Sequence, residues 1–288
     1  MPYVRIVALF AFMGPAVAAA LAQRSAVTVQ AQTTPQQLVR EVVENGRRLK
    51  DDPSYWAYRE VVRKDGRLET HEVCQTDAGT IDRLVAINNQ PLPTEQQRRE
   101  DARVQMLLAN PPEIRKEKQK QREDTAKQYR MFATFPDAFR YQYAGTEGRL
   151  IKLRFEPNPQ FVPNNRQEEV FHHLEGMMWI DPEQKQLARI DGELTSEVKF
   201  AGGLLGHLDK GGVFSVRFRR VDSGQWLMAA LEVNMNGKAL LFKTISVQEE
   251  RQFEDYRRVP ANLTLSQAAQ FLAKMPSSPK QTATNTSK

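Results

Sequence analysis

The sequence predicts a mainly β fold with helices, of the α+β class: a curved antiparallel sheet or unclosed β-barrel with an N-terminal helix and an inserted helical pair. About ten strand-like segments follow one another, and short turns join nearly all of them, which favours an antiparallel meander. The regular alternation of helix and strand that is typical of parallel sheets is absent. Helical patterns are confined to a segment near the start, to residues 94–131 and to a segment near the end.

Residues 1–22 have the pattern of a secretory signal peptide. One positive charge lies within Met1–Arg5, and an unbroken apolar run from Ile6 to Ala22 follows and ends in small residues. A retained membrane anchor is the alternative. The run holds 17 residues, which is slightly short for a spanning helix, and the helix-breaking Gly14-Pro15 pair lies inside it, so we expect cleavage.

Two positions fit the small-x-small rule for signal cleavage. One cut follows Ala22, and the other follows Ala31. The residue after each cut is glutamine, so the acylated cysteine of a bacterial lipoprotein is missing. The sequence therefore predicts a mature protein that is soluble and is either periplasmic or secreted.

The balance of charges bounds the kind of partner. The chain of 288 residues has 41 Lys and Arg against 35 Asp and Glu, which gives a formal net charge of +6. This modest surplus favours anionic components of the cell envelope, such as lipid headgroups or glycans. Nucleic acid is not an expected partner, because no compact patch of basic and aromatic residues stands out. Cys74 is the only cysteine, so a buried core rather than disulfides must stabilise the fold.

A capped helix opens the predicted domain, which spans residues 34–258. Thr34 is the cap residue, Pro35 occupies the first turn, and Gln37 lies three residues after the cap. An apolar stripe follows at helical spacing and predicts that this helix packs on the rest of the fold; its members are Leu38, Val39, Val42, Val43 and Leu49.

Strand patterns begin after this helix. Tyr55–Arg63 is aromatic and β-branched, and the Asp65-Gly66 pair predicts a hairpin into a second strand that ends at Thr76. A third strand is predicted over Thr80–Ile87.

Residues 94–131 form an insertion that is rich in Glu, Gln, Lys and Arg. The segment Asn110-Pro111-Pro112 divides it, so we predict two helices with a proline break. Two interpretations stay open at this point: a solvated helical insertion, or a mobile lid over a cavity.

Strand patterns return at Phe139. Apolar and charged residues alternate in Gly148–Glu156, and a long strand is predicted over Glu169–Ile180. Beyond the domain, residues 259–275 are predicted to contain a short terminal helix that begins near Thr264, and residues 276–288 to form a disordered tail.

Sequence patterns for catalysis, metal binding and cofactor binding are missing. His172 and His173 are neighbours on a predicted strand, so they point to opposite faces, and a third metal ligand is lacking. The glycine-rich stretch at 202–206 is not followed by the Gly-Lys-Ser/Thr of a phosphate-binding loop. Hydrolase signatures are also absent. We therefore predict a protein that is not an enzyme and that uses neither a metal nor a cofactor.

A ligand-binding lining is predicted from strands that are apolar at alternate positions, because such residues share one face of a sheet. Its three sets are Leu153 with Phe155, then Phe214 with Val216 and Phe218, then Leu227 with Leu231 and Val233. Trp179 has the opposite parity from Met178 and Ile180, which places it under a helix or at the mouth of the cavity. Since the prediction rests on parity, one β-bulge would invert a set.

The order of elements supports a family resemblance. A capped helix precedes the aromatic strand Tyr55–Arg59 and the Asp65-Gly66 hairpin, and the strand-turn-strand of Gly176–Asp181 and Leu187–Ile190 comes later. This order, over residues 34–258, resembles the LolA/LolB-type fold of periplasmic lipoprotein carriers, which the sensor domains of RseB/MucB proteins share. The resemblance implies an unclosed barrel that holds acyl chains in an apolar cavity under a lid of helices. It also makes Arg59 the candidate for the family's cavity arginine.

The expected function is that of an exported apolar-ligand binding protein, a carrier or sensor whose partners are lipid acyl chains or a lipoprotein. Burial of an acyl chain contributes about 0.8 kcal/mol per methylene, so apolar volume alone gives affinity. The alternative is a non-enzymatic periplasmic scaffold or protein-interaction module with a filled core, for which the Pro157–Pro163 loop is a candidate partner surface.

Overall fold

The computed structural model describes most of the chain, namely residues 33–49, 54–64, 66–203, 206–221, 224–239 and 243–275. The predicted signal peptide, both predicted cleavage sites and the predicted tail lie outside the described residues. Within the described part of the chain, no helix is both long enough and apolar enough to cross a membrane.

The chain divides into two compact units. The first unit comprises Met1–Ser54 and Gln121–Glu250, and the second comprises Tyr55–Lys120 and Arg251–Lys288. The predicted domain of residues 34–258 therefore contributes to both units. Each unit is described separately below.

The helices have these bounds: α1 Pro35–Leu49, α2 Thr94–Leu108, α3 Pro111–Ala133, α4 Phe135–Ala138 and α5 Leu265–Ala273. The strands have these: β1 Tyr55–Lys64, β2 Arg67–Thr76, β3 Gly79–Ile87, β4 Gln90–Pro91, β5 Phe139–Glu147, β6 Leu150–Pro157, β7 Leu174–Asp181, β8 Gln186–Leu194, β9 Val198–Phe200, β10 Gly206–Leu208, β11 Val213–Arg220, β12 Trp226–Ala239 and β13 Lys243–Val259.

The sheet is antiparallel, as the sequence predicts. The strand order is β4-β3-β2-β1-β13 in the second unit and β13-β12-β11-β8-β7-β6-β5 in the first, since β13 contributes residues to both. Strand β10 also pairs with β9 and β12. Among the described strands, β4 and β5 each have one neighbour, so neither stretch closes into a barrel. The predicted class of mostly antiparallel sheet with helices is confirmed.

Helix α1 anchors the first unit through its apolar stripe. The backbone N–H of Gln37 donates to Thr34 Oγ1 over 3.2 Å, which confirms the predicted cap. Val39 and Val42 have no solvent exposure, and Leu38 is buried beside them. The helix contacts α4, β5 and β8. Each fully buried Val or Leu side chain stabilises the unit by about 1.5–3 kcal/mol.

An aromatic cluster fills the space next to α4. Phe139 is its centre, with ring centroids 5.2 Å from Phe135, 5.3 Å from Phe171 and 5.0 Å from Phe155. All four rings are at most 1% exposed. The edge-to-face arrangement of most of these rings adds to the stabilisation that comes from burial.

The second unit has its own core. Ala57, Cys74 and Ile81 lie side by side on β1, β2 and β3 and have no solvent exposure. Their cluster includes buried residues from each of the three helices: Val104, Ile114, Ala268 and Leu272. The predicted proline break is confirmed, because α2 ends at Leu108 and α3 begins at Pro111. Through Val104 and Ile114, the start of the charged insertion packs on the core of this unit.

One predicted strand is wrong at its start. Glu169 was expected to begin a strand that runs to Ile180, but Glu168–His173 forms a 3-10 helix and β7 begins at Leu174. The Glu168 carboxylate accepts hydrogen bonds from Asn164 N, Asn164 Nδ2 and Asn165 Nδ2, while Asn165 Oδ1 accepts from the N–H of Glu168. These local bonds favour a turn over an extended chain.

We expect Phe171→Ala to lower the free energy of unfolding by about 3–5 kcal/mol, because it empties a cluster that cannot fully collapse. Urea denaturation measures this loss. The matched control is Val162→Ala, whose side chain is 79% exposed and which should change stability by no more than about 0.5 kcal/mol. Equal effects of the two substitutions would contradict the assignment of Phe171 to the core.

Candidate functional site

Strand register brings most of the predicted lining together on one face of the first unit. Residues directly opposite each other in paired strands share a face. One row runs Leu153, Met178, Ile190, Val216, Leu231, and the next runs Phe155, Gly176, Gly192, Phe214, Val233. We call this the inner face of β6, β7, β8, β11 and β12. Six of the eight predicted lining residues therefore share it.

Leu227 is not on the inner face, because a β-bulge interrupts β12. Arg217 pairs with Ala230, whereas Phe218 pairs with Met228, so Ala229 is the extra residue. Leu227 consequently pairs with Arg219, and the alternation predicted through Leu231 does not hold.

Phe218 does not pack with Phe214 and Val216, the other members of its predicted set. Its side chain packs against a second apolar cluster that consists of Trp179, Ala188 and Trp226. Ala188 lies at a register shift between β7 and β8, where Trp179 pairs with Arg189 but Ile180 pairs with Leu187. Two bulges thus rearrange the end of the sheet near these residues.

A pair of glycines lies in the middle of the inner face. Gly176 and Gly192 are directly opposite each other, and the rings of Phe155 and Phe214 reach over them. A Cβ atom on Gly192 would lie 2.4 Å from Phe214 Cε1, and one on Gly176 would lie 2.8 Å from Phe155 Cζ and 1.9 Å from the backbone oxygen of Asp191. The space left by two missing side chains is therefore occupied by two phenylalanine rings.

Exposure differs along these rows. Leu153, Phe155 and Val216 have no solvent exposure. Phe214 is 7% exposed, and Val233 is half-buried. The β6 side of the inner face is therefore enclosed, and the β12 side is nearer to solvent.

Trp179 lies on the opposite face of the same strands. Its indole Nε1 donates to Glu147 Oε2 over 2.9 Å. The Arg189 guanidinium lies 4.5 Å and Lys152 Nζ 5.4 Å from the ring centroid, which are cation–π distances. These two cations contact the ring of Trp179, which also packs in the apolar cluster with Ala188 and Trp226.

Arg59 lies in the second unit and not with the apolar lining. Arg59 Nη2 is 3.6 Å from Glu72 Oε1, and Arg59 Nη1 is 3.1 Å from Asp255 Oδ2. The side chains of Arg59 and Glu72 are 6% and 1% exposed. Burial raises the pKa of Glu72 despite the opposing charge of Arg59. Arg59 thus compensates a buried carboxylate.

We expect Arg59→Met to destabilise the protein by about 3–5 kcal/mol, because it removes the cation that lies beside the buried Glu72 carboxylate. The double variant Arg59→Met with Glu72→Leu should recover most of this loss. The control is Arg99→Met, since the side chain of Arg99 is 76% exposed in its pair with Glu95. Chemical denaturation of all three tests this, and a double variant no more stable than Arg59→Met would refute it.

A second polar cluster in this unit was missed at the sequence level. His71 Nε2 is 3.4 Å from Glu69 Oε2, and His71 Nδ1 is 3.5 Å from Asp82 Oδ2. Arg103 on α2 also contacts the Asp82 carboxylate, over 3.2 Å. Glu69 and His71 share a strand face by parity, but the approach of Asp82 and Arg103 depends on the register of β3 and the placement of α2.

The cluster changes the protonation of His71. Burial disfavours the imidazolium, but hydrogen bonds to Asp82 and Glu69 and the charges of Asp82 and Glu60 outweigh it, so the pKa of His71 is raised. Burial likewise opposes ionisation of Asp82, yet His71 and Arg103 lower the pKa of that carboxyl.

The raised pKa predicts a pH-dependent effect of His71→Gln. The stabilising contribution of the imidazolium is complete below the unfolded-state pKa and is lost as pH rises through the folded-state pKa. The substitution should therefore cost more unfolding free energy at about pH 5.5 than at about pH 8.5. Urea denaturation at both pH values measures the difference. An equal cost at both would show that His71 is not stabilised as a cation.

His172 and His173, the neighbouring histidines of the sequence analysis, have different surroundings from His71. His173 Nδ1 lies 2.7 Å from Ser196 Oγ, and the ring of His172 lies 6.0 Å from that of Phe161. Within the described ranges, no group of three His, Cys, Asp or Glu side chains is arranged to hold a metal ion. Cys74 is buried, and burial raises the pKa of its thiol to about 11.

Comparison with known proteins gives little beyond this geometry. No family model and no curated protein matches the sequence. Among solved structures, the chain is similar to a DUF1329 family protein from Desulfovibrio piger, with 10% sequence identity, a TM-score of 0.28 and coverage of 81% of this chain and 96% of that one. A likeness at this TM-score carries no argument. The resemblance to the LolA/LolB-type fold stays a prediction.

Proposed function

We propose that this is an exported, non-enzymatic protein that binds an apolar ligand, the acyl chain of a lipid or lipoprotein, on the inner face of the first unit. The observation that supports this most directly is the pair of glycines under the rings of Phe155 and Phe214. Glycine in the interior of a strand weakens it, and often marks a site of close approach. Here two glycines lie side by side in adjacent strands, with Gly192 buried and Gly176 half-buried.

Ring rotation would give a ligand its space. If the Phe214 ring turns away from Gly192, it leaves a trough whose floor is backbone and whose walls are the neighbouring apolar side chains. Phe214 and Val233 lie at the less enclosed side of the inner face, which makes that side the access route. An acyl chain that replaces the ring keeps the surface dry.

Burial of apolar surface alone can supply the binding free energy, so the ligand needs no polar contacts. Each methylene that enters the trough contributes about 0.8 kcal/mol, so several methylenes offset the loss of ring contacts. Charged groups lie elsewhere: Arg189 and Lys152 are beside Trp179 on the opposite face, and Arg59 is in the second unit. The net positive charge suits an anionic headgroup outside the trough.

A second candidate function is a periplasmic scaffold or protein-interaction module with a filled core. The absence of any solvent exposure at Leu153, Phe155 and Val216 favours it, because these side chains are fully packed with the rings in place. A carrier requires the Phe214 ring to move aside for a ligand, whereas a scaffold does not.

The amount of lipid that co-purifies with the protein distinguishes a carrier from a scaffold. The full chain, purified from a bacterial host that exports it, is extracted with organic solvent, and the extract is analysed by mass spectrometry. We expect retained lipid in the unmodified protein. Binding of a fluorescent fatty acid gives a second readout. Gly192→Ala places a methyl group against the Phe214 ring, and it should weaken probe binding by at least about tenfold, or about 1.4 kcal/mol.

The matched control is Gly46→Ala, because a Cβ atom at Gly46 meets no other atom within 4 Å. It should bind the probe as the unmodified protein does. Circular dichroism establishes that both variants are folded. If the folded, unmodified protein neither retains lipid nor binds the probe, the carrier function is rejected and the scaffold function is favoured.

A further inference from the structure

The exposed side of helix α3 is strongly basic. An α-helix turns by about 100° per residue, so positions within an arc of about 160° lie on one side. Between residues 115 and 130, one such arc contains six basic residues and one acidic residue, and all seven are exposed: Arg115, Lys116, Lys120, Arg122, Glu123, Lys127 and Arg130. We call this side the basic face of α3.

The opposite side of α3 packs on the protein. Ile114 is 4% exposed and belongs to the core of the second unit. Lys118, one turn further along, donates hydrogen bonds to the backbone carbonyl and to the carboxylate of Asp77. Thr125 and Tyr129 continue this side at helical spacing and are half-buried. These contacts fix the rotation of the helix and turn the basic face towards solvent.

The excess positive charge of the chain is concentrated on this face. The basic face has a net charge of +5, from six basic residues and one acidic residue, and the whole chain has a formal net charge of +6. The charges of the rest of the chain therefore nearly cancel. From Arg115 to Arg130 the row is about 22 Å long, at a rise of about 1.5 Å per residue. The chain thus presents an extended row of cations rather than a diffuse surplus.

The basic face offers a partner charge and little else. Its two uncharged members, Gln119 and Ala126, add neither an aromatic ring nor a large apolar side chain. Aromatic rings stack the bases of single-stranded nucleic acids, and large apolar side chains insert an amphipathic helix into a bilayer. The face therefore suits a partner that is recognised by its negative charge alone.

We propose that the basic face of α3 docks the protein on a membrane surface that contains anionic phospholipids. The negative potential of such a surface raises affinity about fivefold for each nearby Lys or Arg. Its headgroups lie in a plane, so a straight row of cations contacts several of them at once, whereas a flexible anionic polymer must first be ordered along the row. The docking goes beyond the proposed function, because it concerns the headgroups of a membrane and not the ligand in the trough.

Co-sedimentation with vesicles tests the docking in the protein purified after export. We expect binding to phosphatidylcholine vesicles that contain about 30% phosphatidylglycerol, and little binding to vesicles of phosphatidylcholine alone. Raising the salt from about 0.05 M to about 0.5 M should release the protein, because salt screens exposed charges. Equal binding to both kinds of vesicle would overturn the proposal, in favour of apolar insertion.

Charge variants assign the binding to α3. The triple variant Lys116→Gln, Lys120→Gln and Arg122→Gln should weaken binding to the anionic vesicles by at least about tenfold, since glutamine keeps the helix propensity but removes the charge. Glu123→Gln removes the acidic group of the face and should strengthen binding by up to about fivefold, a gain that loss of folding does not produce. Circular dichroism establishes that the variants are folded.

The matched control is Arg166→Gln with Lys199→Gln and Lys210→Gln, which removes the same charge from exposed positions outside α3. It should bind the anionic vesicles within about threefold of the unmodified protein. Both triple variants should bind the fluorescent fatty acid as the unmodified protein does, which separates a failure of docking from a failure of the proposed carrier function. Equal losses of vesicle binding in the two triple variants would overturn the proposal, because net charge rather than α3 would then control binding. Binding of soluble dextran sulfate without binding of vesicles would overturn it in favour of an anionic glycan.

Discussion

The packing of phenylalanine rings over paired glycines is the constraint on which the first unit depends. Gly176 and Gly192 let the rings of Phe155 and Phe214 lie close to the strands. Phe155 then contacts Phe139, and through it the cluster reaches α4, which in turn contacts α1. Adding one methyl group at the glycine pair displaces a ring, and dense interiors transmit such a displacement to their neighbours. The packing of helix α1 therefore depends on two glycines in the middle of the sheet, Gly176 and Gly192.

The second unit is specified by a different kind of interaction. Its apolar core is small, and beside it lie charges that have been removed from water, with Arg59 next to Glu72. Buried pairs of this kind contribute little net stability, but a change to one partner is costly. The His71 cluster adds a link between β2, β3 and α2. The charged insertion, which the sequence left open as solvated helices or a lid, is thus held at its start by both apolar and ionic contacts.

Much of the fold is predictable because local patterns and tertiary packing agree. The Thr34 cap is correct, as is the proline break between α2 and α3. Of the predicted stripe of α1, Leu38, Val39, Val42 and Val43 are buried, and the side chain of Leu49 lies outside the described part of the structure. The errors lie where a local hydrogen-bond network or an extra residue intervenes. Asn164 and Asn165 turn the chain at Glu168, and Ala229 shifts the parity of β12 and so displaces Leu227. Neither the turn at Glu168 nor the bulge at Ala229 changes the hydrophobic periodicity of the sequence, so neither could be predicted from it. The approach of His71 to Asp82 could not be predicted either, because it depends on the register between strands.

The proposed ligand chemistry explains why the sequence says little about function. Polar recognition leaves motifs, because hydrogen-bond donors and acceptors must stand at fixed spacing, whereas an apolar trough needs only volume. On the inner face that volume is filled by side chains, so the proposed binding would require a ring to move and the ligand to replace it. Under the proposed function, such a cost selects for the length of the ligand, because a chain too short to offset the lost ring contacts would not bind. Under the proposed function, the glycine pair therefore favours long acyl chains over short ones.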